Sequence, residues 1–500
     1  MNTKELLSVL PVKTIKGTMP ERVTDLAVDS RAVQDGGAFV CLKGYTVNGH
    51  QFVKQAILSG ARLIIASEPI TVDEERIAVV YVEDTTKAIQ LLAAKFYNYP
   101  SKRMTMIGVT GTNGKTSVSN IIHDMLRQAE EKTAVSGTIG FKLNDILYET
   151  ENTTTDVLTT QQMIAQAASE GCQSMTMEVS SHGLVEGRLA GTEFDIAIFT
   201  NLTHDHLDYH KTMENYSAAK GLLFAQLGQQ LDQQKFAIVN ADDPWSSKMS
   251  EMTSFPLFTY GIHVKSSFQA TNIRMFSNKT EFQLLAPDGT HSVTMPLIGE
   301  FNVYNALAAV AALYAKGMAI EEILPLLATV STVKGRLEKV ETTLPLTIFV
   351  DYAHSPDAIE KAIATVQPLK KEGNRLLFLI GTGGNRDRLK RPIMGEKAAA
   401  ADYVVFTTDD PRDESYESIV SELSASMPHN QFACIGDREE AVRYTIEMAN
   451  EGDIIIFAGK GHEDFQIIGK TKYPHSDAAI ALDEAAKKFG NASVVNKFDR

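Results

Sequence analysis

Cysteine is scarce in this sequence: three in 500 residues, Cys41, Cys172 and Cys434, far apart and with no CxxC pair. That spacing argues against a disulfide framework and against a zinc knuckle. An excess of positive charge is missing too. A formal net charge of −14 speaks against general binding to nucleic acid or anionic membranes, although a local basic pocket could still hold phosphates. No apolar run reaches membrane-spanning length, and the start MNTKELLSVL lacks the apolar core of a signal peptide. What is present, 44% hydrophobic and 22% charged residues, is the composition of an ordinary soluble globular protein, and a cytoplasmic enzyme is expected. At 500 residues, the usual domain size of roughly 100–200 residues implies about three domains.

The stretch Met104 to Glu131, MTMIGVTGTNGKTSVSNIIHDMLRQAEE, organises the rest. Met104, Met106, Ile107 and Val109 are strand material, and Ile121, Ile122, Met125 and Leu126 recur at helical spacing. Between them lies the turn Gly111-Thr112-Asn113-Gly114-Lys115-Thr116. Glycines let backbone N–H groups approach phosphate oxygens, and the helix that follows aims its positive end at them. Lys115 suits the terminal phosphates and Thr116 offers a hydroxyl to Mg²⁺. The first glycine of the ordinary GxxxxGK[ST] spacing would fall on Val109. A solvated lysine on a glycine-rich turn is the bland alternative; the flanking strand and helix favour a nucleoside-triphosphate site.

Three units are expected: 1–102, 103–335 and 336–500. In the first, Asp29-Ser30-Arg31, the apolar run Ala38–Leu42, a polar loop from Lys43 to His50 and strands at Leu63–Ala66 and Ala78–Val82 read as a small α/β module. Ser30 and Arg31 could bind a phosphate-bearing ligand, with a polar turn as the alternative. In the second, strands at Ser174–Val179, Asp195–Thr200 and Phe236–Val239 each run into a polar cluster. Ligands of open α/β sheets sit outside the carboxyl ends of strands, so these clusters and the phosphate loop should share one crevice. Glu178 and His206 are candidate Mg²⁺ ligands or water-holders. Zinc held by His204, His206 and His210 is the alternative, disfavoured by interleaved acids and the lack of an HExxH helix. Residues 253–298, with an Asp288-Gly289 turn, read as an antiparallel addition, and a helix should run from Asn302 to Lys316 and stop at Gly317. The third unit repeats strand, loop and helix, with strands at Thr347–Val350, Leu376–Ile380, Tyr403–Thr407, Phe432–Ile435 and Ile454–Phe457. Its loops carry Arg386, Arg388, Lys390, Arg391 and Arg412, a basic cluster expected to recognise an anion, with a solvated basic face as the alternative. An ATP site facing such a pocket suits activation of a carboxylate. A ligase working through an acyl phosphate competes here with an ATP-switched regulatory protein.

Ordered motifs then resemble one family along nearly the whole chain. They are DSR (29–31), GTNGKTS (111–117), NTTT (152–155), EVSSHGL (178–184), TNLTHDHLDYH (200–210), AAKGLLF (218–224), NADDP (240–244), GEFNVYNALAA (299–309), GRLE (335–338), DYAHSPDA (351–358), GGNRDRLKRP (383–392), DDPR (409–412) and GKGHE (459–463). Together they resemble the Mur ligases, and within them the branch that adds the third residue of the peptidoglycan stem peptide. The altered phosphate-loop spacing is a feature of that family. A folylpolyglutamate synthetase-like ligase is the alternative within the superfamily, without the uridine-binding first domain and the DDPR and GKGHE loops.

The resemblance implies an N-terminal α/β uridine-binding domain, a central P-loop-type ATPase sheet and a C-terminal Rossmann-like domain. It implies ATP and Mg²⁺ as cofactors and UDP-MurNAc-dipeptide and a diamino acid as substrates, with no nucleic acid, no membrane insertion and a monomeric enzyme. Ser30 would hold the uridine-diphosphate part. Gly111 to Thr116, with His354 and Asp351 from the third domain, would serve the nucleotide. Asn152, Thr153, Thr154, Ser180 and Arg188 would contact the muramoyl-dipeptide end. Thr116, Glu178 and His206 would serve the metal, with Lys220 as a CO₂-carbamylated lysine. Arg386, Asp409, Asp410, Pro411, Arg412, Gly459 and Glu463 would bind the incoming amino acid. One departure stands out: enzymes of this branch that add meso-diaminopimelate usually show Asp-Asn-Pro-Arg, and here Asp410 replaces the Asn. Arg412 suits the second carboxylate of diaminopimelate, whereas Asp410 could favour the ammonium of L-lysine, so both amino acids stay open.

Overall fold

The computed structural model describes residues 1–490 except 45–46, 73–75, 229–232, 426 and 429. Tyr45 and Thr46, in the middle of the polar loop noted above, therefore lie outside the described residues, as does the end of the third unit beyond 490. The first sheet runs in the order Thr14–Lys16, Ala78–Tyr81, Leu63–Ala66, Ala38–Val40, Leu26–Ala27. Only the outermost Thr14–Lys16 is antiparallel. The apolar runs Leu63–Ala66 and Ala78–Val80 are buried because parallel strands are covered on both faces. Asp84 starts the helix Thr85–Phe96 by accepting the backbone N–H groups of Thr86 and Lys87.

The central sheet has eleven strands. Its middle is Thr105–Thr110, flanked in parallel by Ser174–Glu178 and Ile196–Phe199. Val109, where an ordinary phosphate loop would already have a glycine, is an interior residue of this strand, paired with Glu178 and Ile198. The loop can only begin after it, which is the physical content of the shifted spacing. Helices Lys115–Gln128 and Glu300–Ala315 cover one face. The second is apolar nearly all round, as a fully buried helix must be, and its alanines let it lie close to the first. It starts two residues before the expected Asn302, after Gly299 at φ +92°, and is closed by Gly317 at φ +103°. The extension over 253–298 departs from expectation at its start: Leu257–Gly261 and Phe268–Met275 both continue the sheet in parallel, and antiparallel pairing begins only where Thr280–Ala286 joins Phe268–Met275 and Gly289–Met295. Gly289 pairs with Ala286, so the hairpin tip is Pro287-Asp288 rather than Asp288-Gly289.

The third sheet runs Glu338–Lys339, Thr347–Asp351, Ile454–Ala458, Leu376–Ile380, Tyr403–Phe406, Phe432–Cys434, parallel except for the first strand. The last strand in sequence thus lies between the second and the third. This brings the loops after 380, 406 and 458 to neighbouring strand ends. A hairpin, Phe465–Ile468 with Thr471–Pro474, and a helix, Asp477–Phe489, complete the unit. Two of its helices touch at Gly395, where an added Cβ would lie 1.8 Å from the carbonyl oxygen of Leu423. Backbone cannot yield there as a flexible side chain could. Gly395→Ala is expected to destabilise the protein by about 1–3 kcal/mol, the usual cost of overpacking, read as a lower urea midpoint.

Candidate functional site

The phosphate loop is held open by its neighbours rather than by its own side chains. Gly111 has φ +150° and Gly114 φ +87°. A Cβ on Gly111 would strike Thr200 Oγ1 at 1.8 Å, and one on Gly114 would meet Asn305 Oδ1 at 2.8 Å. Thr112 N–H donates to the carbonyl of Asn201 at 2.8 Å, Asn113 N–H donates to Asn201 Oδ1 at 2.9 Å, and Thr200 Oγ1 donates to the carbonyl of Asn113 at 2.6 Å. The fourteen-residue helix Lys115–Gln128 opens with no side-chain cap, leaving its first N–H groups for an anion. Lys115 and Lys220 both donate to the carbonyl of Gly111, at 3.0 and 2.7 Å. Lys220 is 1% exposed, with its ammonium 4.5 Å from the Tyr216 ring centroid. Burial, and next the charge of Lys115, hold the Lys220 ammonium well below the ordinary lysine range, with Asp205 opposing.

Beside the loop, Glu178 is 1% exposed and fully engaged. Its Oε1 accepts Thr138 N–H at 2.8 Å, and its Oε2 accepts the hydroxyls of Thr116 at 2.9 Å and Thr138 at 3.0 Å. Gly137 makes room: a Cβ there would lie 2.0 Å from Glu178 Oε1. His206 sits at φ +55° at the start of a short helical turn, Nε2 3.5 Å from Asp205 Oδ2 and its ring 5.0 Å from that of His182. Hydroxyl, carboxylate and imidazole donors of this kind fit a hard, oxygen-preferring ion such as Mg²⁺ beside phosphates. Lys220, as an amine, does not serve as a ligand; only a carbamate on its nitrogen would supply oxygen donors.

Thr154 Oγ1 donates to the carbonyl of Glu178 at 3.0 Å and accepts Ser180 N–H at 3.0 Å, while Arg188 reaches the carbonyl of Thr154 at 2.8 Å. Thr153 pairs with Thr138 at 3.1 Å, and Asn152 is exposed at the edge of this group. Thr153, Thr154, Ser180 and Arg188 therefore surround the Glu178 strand end. Ser30 lies apart, buried in the first sheet unit after its Leu26–Ala27 strand.

Across the crevice stands the third unit. A cavity of about 300 Å³ is lined by Asn113, Gly114, Asn305 and Tyr304 on one side and by Asp351, His354 and Lys361 on the other. Asp351 accepts the N–H groups of Leu337 and Ala353 at 2.5 and 2.7 Å, so it shapes the cavity wall. Contacts that join the two sides include Arg336 to Thr116 Oγ1 at 2.7 Å, Asn113 to Asp357 at 2.7 Å, Lys390 to Asp205 at 3.1 Å, His204 to Asp387 at 3.4 Å and His354 to Asp205 at 4.0 Å. Burial alone would raise Asp205, but Lys390, His206 and His354 hold its carboxyl well below the carboxylate range. Sequence pattern does not single out Arg336, Asp357 and Asp205. They lie inside the GRLE, DYAHSPDA and THDH strings, and only docking of the units reveals which of those side chains face the crevice.

The basic cluster needs correction. Arg391 is buried against Glu414 and Glu422, Arg388 pairs with Glu422, and Lys390 is taken by Asp205. Three of the five cations are thus neutralised within the chain, and Arg386 and Arg412 remain for a ligand. Arg412, at φ +53°, donates to the carbonyl of Gly384 at 3.0 Å and lies 3.7 Å from Asp410 Oδ2. The principal partner of Asp410 is Lys460, at 2.5 Å. Lys460 also lies 3.2 Å from Asp409 and 3.0 Å from Glu463, and so ties the 409–412 and 459–463 loops together. Gly459 stands between them at φ +106°. Pro411 is the remaining member of the first loop.

Three domain families match the chain: Mur ligase family, catalytic domain, over 22–97; Mur ligase middle domain, over 109–313; and Mur ligase, glutamate ligase domain, over 335–461. A protein named UDP-N-acetylmuramyl-tripeptide synthetase 2, from Oceanobacillus iheyensis, is 44% identical over 98% of this chain and 100% of its own. The chain belongs to the Mur ligase family. This Mur ligase is also 42% identical to the UDP-N-acetylmuramoyl-L-alanyl-D-glutamate–L-lysine ligase of Staphylococcus haemolyticus, over 98% of this chain and 99% of that one. It is 46% identical to the corresponding 2,6-diaminopimelate ligase of Geobacillus thermodenitrificans, over 96% and 98%. A solved structure of a 2,6-diaminopimelate ligase superposes with a TM-score of 0.68 at 29% identity, covering 98% of this chain and 100% of that one. The folylpolyglutamate synthase of Mycobacterium tuberculosis, solved with ADP, shares the fold at a TM-score of 0.62 and 16% identity, covering 80% of this chain and 95% of that one. The protein is a carbon–nitrogen ligase that uses ATP. Among the described residues no helix is long and apolar enough to cross a membrane.

The Lys390–Asp205 pair makes the closed arrangement testable. Removing one partner of a buried pair leaves a charge that water must reach. Lys390→Met is expected to open the crevice rather than unfold the chain, raising the radius of gyration in small-angle scattering. Adding Asp205→Asn to that variant should restore part of the compaction.

Proposed function

We propose that this Mur ligase joins a diamino acid, meso-diaminopimelate or L-lysine, to the γ-carboxylate of the D-glutamate of UDP-MurNAc-L-Ala-D-Glu. The observation that carries the reading is a crevice with the phosphate loop on one wall and Arg336, Asp351, Tyr352 and His354 of the facing unit on the other, where the Tyr352 hydroxyl donates to Glu463 of the carboxylate-rich loops behind it. The names of its full-length relatives agree with it. Three domains, 1–102, 103–335 and 336–500, divide the work among uridine-diphosphate substrate, nucleotide and amino acid. Ser30 serves the uridine-diphosphate end, and Asn152, Thr153, Thr154, Ser180 and Arg188 the dipeptide end.

The chemistry follows from the placement of charge. A γ-carboxylate oxygen takes the γ-phosphoryl of ATP and ADP leaves; Gly111 to Thr116 bind the phosphates while Lys115 neutralises charge on the group in transfer. Arg336, 2.7 Å from Thr116 Oγ1, adds a second cation from the facing unit. Thr116, Glu178, His206 and, once carbamylated, Lys220 would hold Mg²⁺, which would supply further charge neutralisation. An uncharged amine is what CO₂ requires, and burial beside Lys115 favours that form of Lys220. The resulting acyl phosphate has a carbonyl carbon open to the free amine of the incoming amino acid. Formation of the C–N bond expels phosphate and releases a proton. Asp351 and His354 close the nucleotide side, excluding water that would hydrolyse the acyl phosphate.

Arg386, Asp409, Asp410, Pro411, Arg412, Gly459 and Glu463 form the amino-acid pocket. Both candidate amino acids carry a distal ammonium that the carboxylates around Lys460 can meet; only diaminopimelate brings a distal carboxylate for Arg412. The substrates place the enzyme in the cytoplasm, where it acts as a monomer, without nucleic acid or membrane insertion.

ADP release with the UDP-dipeptide, ATP and a panel of amino acids tests the proposal: turnover should appear with one diamino acid and not with neutral amino acids. Release of ADP without any amino acid requirement would overturn it. Lys220→Ala is expected to lose activity by about 10²–10³-fold, the usual cost of losing a transition-state charge contact, with partial return on adding a short carboxylate. An unrescued variant of full activity would remove Lys220 from the reaction.

A further inference from the structure

The three loops of the amino-acid pocket come from adjacent strands, Ile454–Ala458, Leu376–Ile380 and Tyr403–Phe406, yet hydrogen bonding along the sheet stops at the strand ends. Beyond them the outer two loops are separated by the loop that follows Leu376–Ile380. Besides Lys460, which joins the side chains of these loops, a guanidinium crosses the gap between their backbones. Arg438, first residue of the helix Arg438–Met448, is 1% exposed and donates through Nη1 to the carbonyl of Thr408 at 3.1 Å. Through Nη2 it donates to the carbonyl of Ala458 at 2.9 Å. Thr408 directly precedes Asp409, and Ala458 directly precedes Gly459. Asp477 receives the remaining donors, from Nε at 2.9 Å and Nη2 at 2.7 Å, and is itself held by His475 at 2.8 Å. The planar fork of arginine reaches three acceptors at fixed angles, which the single ammonium of a lysine cannot do.

Resting on the function proposed above, we infer that Arg438 is a positioning residue that sets the distance between the 409–412 and 459–463 loops, and through it the amino-acid selectivity. Arg438 hydrogen-bonds the two loops through backbone carbonyls alone. Its effect passes through two backbone carbonyls to Asp409, Asp410 and Glu463, whose side chains Lys460 gathers from above. The interaction is buried.

The domain contains a matched control. Arg375 also forms a fork with an aspartate, Asp453, at 2.8 Å and donates to the carbonyl of Met448, but at the opposite ends of the strands. Arg438→Lys, Arg438→Gln and Asp477→Asn should be compared with Arg375→Lys. The measurements are kcat/KM for meso-diaminopimelate, L-lysine and L-ornithine, KM for ATP and for the UDP-dipeptide, and Tm. The Arg438 variants are expected to raise KM for the amino acid and to shrink the ratio between the preferred and the other amino acids by on the order of 10–100-fold, the range over which a displacement of about 1 Å acts. KM for ATP and the UDP-dipeptide should not move. Arg375→Lys should lower Tm and leave the ratio alone. If Arg438→Gln does not fold, Asp477→Asn, which keeps the shape and loosens the fork, should show a smaller change of the same sign. An unchanged ratio in Arg438→Lys and Asp477→Asn overturns this inference alone. A wild-type enzyme that releases no ADP with any of the amino acids overturns the function and this inference with it.

Discussion

The side-chain nitrogens of two lysines, Lys115 and Lys220, share one carbonyl oxygen, that of Gly111. Much of the centre of the molecule depends on this crowding. Like charges in a protein interior are tolerated only where dipoles or opposite charges face them. Here the facing groups are the loop carbonyls, Glu178 and Asp205, each fixed by a neighbouring strand end. Arg336 adds a cation from the other unit. A site so rich in positive charge has a built-in demand for a polyanion, and triphosphate answers it. The overall acidity of the chain, net −14, makes this local concentration all the more specific.

The same logic joins the units. Arg336–Thr116, Asp357–Asn113 and Lys390–Asp205 all converge on the phosphate loop or on the segment next to His206. Polar contacts across a domain interface give modest stability but fix orientation, because each is favourable only at one mutual position. The phosphate-loop wall and the facing wall are thereby aligned by side chains that also line or border the crevice. Closing the molecule and assembling its site are one event.

Much of this was legible in the chain. The apolar runs Leu63–Ala66 and Leu376–Ile380 are bounded by polar residues, so their strands could be placed to the residue. The convergence of the loops after Glu178, Phe199 and Asn240 on the phosphate loop follows from parallel topology alone. Short exposed strands such as Thr14–Lys16 and Thr471–Pro474 bury no side chain and so carry no hydrophobic signal. The fate of the basic cluster was hidden for another reason. Whether Arg391 meets a ligand or Glu414 depends on a helix contact 23 residues away, and whether Arg336 meets Thr116 depends on docking across 220 residues. Pattern within one element says nothing about either.

The strand order of the third sheet has a consequence for how the protein is made. Ile454–Ala458, almost the last strand to leave the ribosome, occupies the middle of that sheet, between strands that begin at Thr347 and Leu376. Until it arrives those two have no common neighbour, and their edges stay open. The phosphate-loop sheet, by contrast, is complete once residue 295 has emerged. Domains fold as units in the order of synthesis. A nascent chain therefore gains its phosphate loop well before the loops proposed to hold the amino acid, and a message truncated between residues 315 and 454 yields the phosphate-loop unit without the sheet that faces it.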